Sequence, residues 1–85
     1  MERVMKTNAG FEIIIEETGH LASDLSRIGV ALGKRLTSLG PEWVTWEFTE
    51  NADGERSYYW GHYLREEPNA YVDYHKRVLR VLYGV

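Results

Sequence analysis

Residues 28–33 read Ile28-Gly29-Val30-Ala31-Leu32-Gly33, and the architecture turns on whether they lie in a strand or in a helix. Two periods compete across residues 20–39. Leu21, Leu25, Ile28, Leu32, Leu36 and Leu39 fall on one helical face, whereas alternation within the quoted stretch sets Ile28, Val30 and Leu32 on the inner side of a short strand. Glycines at 29 and 33 would each cost a helix about 1 kcal/mol relative to alanine. The balance leans to a strand, and residues 20–39 stay open between the two.

Downstream lies the sharpest local signal. Asn51-Ala52-Asp53-Gly54 has the residues of a type I turn closed by a left-handed glycine bulge, which predicts a hairpin from Glu42 to Leu64. That turn sets Glu50 against Arg56, Phe48 against Tyr58, Trp46 against Trp60 and Val44 against His62. One face would then hold Val44, Trp46, Phe48, Tyr58, Trp60 and His62. The other would hold Trp43, Thr45, Glu47, Thr49, Ser57, Tyr59, Gly61 and Tyr63. Upstream, Gly10 to Glu17 reads as a strand from its run of isoleucines, with Phe11, Ile13 and Ile15 on one side, and Thr18-Gly19 breaks it. After Leu64, Pro68 suits the first turn of a helix, and Glu66 and Glu67 suit its positive end. Tyr71, Tyr74, His75, Val78 and Leu82 follow as an apolar stripe that ends at Gly84. The expected fold is an α+β domain over residues 1–85: a small antiparallel sheet of three to four strands with a C-terminal amphipathic helix packed on one face, the one bearing Trp46 and Trp60.

Composition excludes several classes. Eighty-five residues, 44% of them hydrophobic, make one compact domain rather than two. With no cysteine there is no disulfide framework, thiolate metal site or cysteine nucleophile. No apolar run is long enough for a bilayer, and the charged start Met-Glu-Arg-Val-Met-Lys lacks the core of a secretion signal, so the expected location is cytoplasmic. The net charge is −3, yet residues 41–67 hold seven acids against Arg56 and Arg65. That is too mild for a carboxylate mimic of nucleic acid and too acidic for a strong grip on phosphate.

Leu32-Gly33, Val44-Thr45-Trp46 and Tyr59-Trp60-Gly61-His62-Tyr63, followed by Ala70, Asp73 and Arg77, resemble a pattern in small uncharacterised proteins of Gram-positive conjugative elements and prophages. The resemblance spans roughly residues 28–80 and is most specific in the V-T-W and W-G-H-Y blocks. It implies a strand around Leu32 and a mobile-element origin, and no activity. The connection from Lys34 to Pro41 is longer here than in that pattern.

Reactive constellations are scarce. His20, His62 and His75 have no metal-binding spacing, and His62 is expected to pack beneath the helix. No serine sits in a strained elbow, Glu16-Glu17 and Glu66-Glu67 have structural roles as neighbours in a strand and at a helix start, and no phosphate loop is present. Lys76, Arg77 and Arg80 form a basic strip on the helix, with Asp73 placed to pair with it. One helix covers one face of a small sheet, which leaves Trp43, Glu47, Tyr59 and Tyr63 as the candidate binding residues; amphipathic aromatics of this kind are favoured at binding hot spots. The expected function is a non-enzymatic protein-binding module, an accessory or inhibitory factor of a mobile element, with Glu47, Glu50 and Asp53 steering a basic partner. The alternative is single-stranded nucleic-acid binding through the same aromatics and the basic strip. No catalytic residue, metal or cofactor is expected, and no membrane. The chain would be a monomer or a homodimer paired through an exposed edge strand.

Overall fold

The computed structural model describes residues 6–85. Strands β1 (Thr7–Asn8), β2 (Phe11–Thr18), β3 (Arg27–Thr37), β4 (Gly40–Glu50) and β5 (Arg56–Leu64) precede one helix, α1 (Glu67–Tyr83). The strands run as an antiparallel meander in chain order. The sheet has five strands rather than the expected three to four. Short β1 folds back on β2 through Ala9 and Gly10, both at positive φ (51° and 83°), as a two-residue hairpin turn requires.

The open segment 20–39 resolves into β3, which pairs with β2 on one side and β4 on the other. Its faces are sorted by size. Val30 and Leu32 pack towards α1 with Trp43, Ala70, Tyr74 and Val78, while Gly29, Ala31 and Gly33 lie under aromatic rings of the opposite face. A Cβ at Gly29 would sit 2.2 Å from the Phe48 ring, and one at Gly33 would sit 3.0 Å from Phe11 and 3.1 Å from Trp46. The glycines that argue against a helix are therefore where rings cross bare backbone.

On that side the sheet curls over a second core of Phe11, Ala31, Val44, Trp46 and Phe48, with Ile13 and Tyr58 against it. In a flat sheet β2 and β5 would stand roughly 14 Å apart with two strands between them. Instead the rings of Phe11 and Tyr63 are 6.0 Å apart and tilted, and Phe11 meets Trp46 edge-on at 5.6 Å. An ionic seam joins the curled margins: Arg56 of β5 pairs with Glu16 of β2 and with Glu50 at 2.7 Å, and Lys6 reaches Glu16 at 2.5 Å. Burial pushes the Glu16 carboxyl up, but the hydrogen bonds from Lys6 and Arg56 outweigh it and hold the group below the usual carboxylate range.

The convex face takes the helix. Pro68 lies in the first turn of α1, and Gly84 ends it in the left-handed conformation (φ 68°), with the Val85 amide donating to Leu79 O at 3.0 Å. The expected face is corrected here, because α1 covers Trp43, Val30 and Leu32 and not the Trp46 and Trp60 side. The helix stripe is corrected as well: His75 is exposed and Arg77 is buried.

Two one-residue register shifts explain why simple alternation misplaces side chains. In β2 the pairing moves from Ile13 opposite Gly33 to Ile15 opposite Leu32, so Ile13 packs in the concave core and Ile15 under the helix. In β5 the expected pairs hold from Glu50 with Arg56 to Glu47 with Tyr59. Beyond Trp60 they shift, and Thr45 faces His62 while Val44 faces Tyr63. Such bulges carry side chains across to the other face. Among the described residues, no helix is long and apolar enough to cross a membrane.

Candidate protein-binding site

The shift in β5 centres on Trp60, which has a φ of +59°. A one-residue bulge of this kind normally places glycine in that conformation. Here the glycine comes one residue later, where a Cβ at Gly61 would lie 3.1 Å from Nε1 of Trp46. Glycine at 61 thus admits the Trp46 indole beneath β5, and Trp60 takes the left-handed turn. Its side chain goes outward, 68% exposed, with the Tyr59 ring edge-on at 6.2 Å.

A polar cluster between β4, β5 and α1 fastens this bulge. Arg77, whose side chain is only 2% accessible, donates through Nη2 to Trp60 O and through Nη1 to Thr45 O at 2.8 Å. Trp60 drops out of the paired register at the bulge, and the guanidinium gives its part-buried carbonyl a donor there. Asp73, one turn earlier, accepts from the Thr45 hydroxyl and from His62 Nδ1 at 3.0 Å. His62 Nε2 lies 3.4 Å from Arg77 Nη2, an arrangement that suits the Nδ1–H tautomer, donating to Asp73 and accepting from Arg77. Burial pushes the Asp73 carboxyl up, but the bonds from Thr45 and His62 and the charge of Arg77 outweigh it and hold the group low. Burial likewise lowers the Arg77 guanidinium, with Glu47 and Asp73 opposing the shift. Glu47 Oε2 lies 3.7 Å from Arg77 and 3.5 Å from Arg80.

The four residues expected to form one binding face do not assemble. Trp43 is 5% exposed beneath α1. Glu47 and Tyr59 face each other across β4 and β5, with Glu47 engaged by the two arginines. The register shift carries Tyr63 to the concave side, beside Phe11, where it remains 60% exposed. His62, expected to pack and hydrogen-bond beneath the helix opposite Val44, does hydrogen-bond to α1 through Asp73, but it faces Thr45 and stays half-exposed at the rim of that cluster. The basic strip loses Arg77 to the interior and retains Lys76 and Arg80. Trp60, expected in the core, is the most exposed tryptophan. The one local hint was Trp60-Gly61 within a strand, since glycine there commonly marks a bulge.

Among the described residues, no group of three His, Asp or Glu side chains converges as a metal site. No protein-family model, curated protein or solved structure matches this chain.

Proposed function

We propose that the chain is a non-enzymatic protein-binding module whose contact surface is the bulged strand β5, with Trp60 at its centre and the Tyr59 ring edge-on beside it. The supporting observation is Trp60 itself. A left-handed L residue costs about 1–2 kcal/mol, and this indole contributes little to packing at 68% exposure. Glycine would relieve the strain. Strain kept at an exposed aromatic side chain marks a position selected for contact rather than for folding. Protein recognition has more behind it than base stacking, because Arg77 is buried and Arg80 is engaged by Glu47.

The test is capture of partners from the native cell by the wild-type chain and by Trp60→Gly, with folding checked by circular dichroism. The variant keeps the bulge and removes the ring. It is expected to lose the captured partner; equal capture by both proteins would overturn the proposal.

A further inference from the structure

Among the described residues, β5 is the long strand with one side unpaired. β4 borders one flank, no described residue pairs with the other, and the opposite margin of the sheet ends in two-residue β1. The turn determines which backbone groups point out. Asn51 N–H donates to Glu55 O at 2.9 Å and Gly54 N–H to Asn51 O at 3.0 Å, and an antiparallel ladder then alternates. Ser57 and Tyr59 therefore turn their amides to β4, while Arg56 and Tyr58 turn theirs outward.

A groove of about 340 Å³ runs along this margin, lined by Lys6, Thr7, Glu50, Gly54, Arg56 and Tyr58. Its charges are satisfied internally through Glu16 and Glu50. The field along the edge comes from four exposed carboxylates that make no ion pair among the described residues: Asp53 and Glu55 before β5, Glu66 and Glu67 after it. Arg56 and Arg65 are the cations between them, Arg56 paired with Glu16 and Glu50 and Arg65 3.8 Å from Glu42.

The geometry points to a cationic, extended segment of a partner protein that adds as a new strand to β5 along Arg56 to Tyr59, a mode of recognition that rests on the surface reading above. Main-chain bonds to Arg56 and Tyr58 would supply affinity, and Asp53 and Glu55 beside the start of that stretch would select positive charge. The bulge at Trp60 ends the regular edge and stands its ring where the added strand must stop. A second copy of this chain fits poorly. Antiparallel pairing of two copies over Arg56 to Tyr59 would set Asp53 and Glu55 of one beside residues 57–63 of the other, which hold no lysine or arginine.

The experiment follows amide exchange by NMR in the intact chain, with an octapeptide of alternating lysine and valine as probe and its glutamate counterpart as control. Exchange at Arg56 and Tyr58 should slow about tenfold with the lysine peptide and recover in high salt, as screening requires. Ser57 and Tyr59, already in the ladder, should not change. Asp53→Lys with Glu55→Lys should weaken binding about tenfold without moving Tm. Equal protection by the glutamate peptide, no protection by either, or protection that grows with protein concentration alone would each overturn the inference, the last by showing a second copy on the edge. If Trp60→Gly loses its cellular partner while these amides stay open to the lysine peptide, strand addition fails and the surface reading stands. If the amides are protected and Trp60→Gly keeps its partner, the surface reading fails instead.

Discussion

Replacing Trp60 by glycine and, separately, by alanine isolates the backbone of the bulge. Both variants lose the same ring, so packing cancels in their difference. At a φ of +59° alanine retains a strain of about 1–2 kcal/mol that glycine lacks. Glycine's greater freedom in the unfolded chain opposes this by about 0.5–1 kcal/mol. Glycine should therefore be the more stable by about 0.5–1 kcal/mol, the reverse of its usual standing in a strand. Ser57 lies in the same strand without positive φ, and there alanine should win. Urea unfolding measures both comparisons. With an m-value of about 1 kcal/mol/M, the two Trp60 variants should differ in midpoint by about 0.5–1 M with unchanged slope. Alanine equal to or above glycine at position 60 would mean that β5 has no left-handed residue there. The register shift, the outward indole and the basis for the binding face would go with it.

Gly29→Ala places a Cβ 2.2 Å from the fully buried Phe48 ring, an overpacking expected to cost about 3 kcal/mol and to lower Tm by roughly 10–20 °C; Phe48→Leu in the same chain should restore part of the loss, and an unchanged Tm would contradict the ring-over-backbone contact. Asp73 has a folded-state carboxyl held low, so its contribution is complete above the ordinary aspartate value near pH 4 and declines as pH falls through the folded value. Asp73→Asn should lower stability at neutral pH and flatten the acid limb of the stability curve; parallel curves for the two proteins from pH 7 downward would refute that assignment.

Much of the fold was legible because it is written in short-range terms. The turn at Asn51–Gly54 predicted the first four pairs of the hairpin correctly, since a tight turn fixes register through its own dihedral angles. Pro68 and Gly84 bounded α1 because they act on the backbone within one turn. The strand reading of residues 28–33 rested on the cost of two glycines in a helix, and β3 occupies that stretch. The side-chain placement behind the proposed contact surface was not legible in the same way: strict alternation from the turn carried Trp60 inward and Tyr63 outward on the wrong sides, since one added residue at a bulge inverts every later position.

The sequence by itself determined the helix, the main hairpin turn and the alternation of strand faces, each through interactions between residues close along the chain. Tertiary structure alone decided which face the helix covers and where the strands slip. Two alternating faces are equivalent to local forces. The choice between them comes from distant volumes, with the small side of β3 accepting Phe11, Trp46 and Phe48 and the large side accepting Ala70, Tyr74 and Val78. Arg77, thirty-two positions from Thr45 in the chain, holds the resulting bulge in a place that no local pattern specifies.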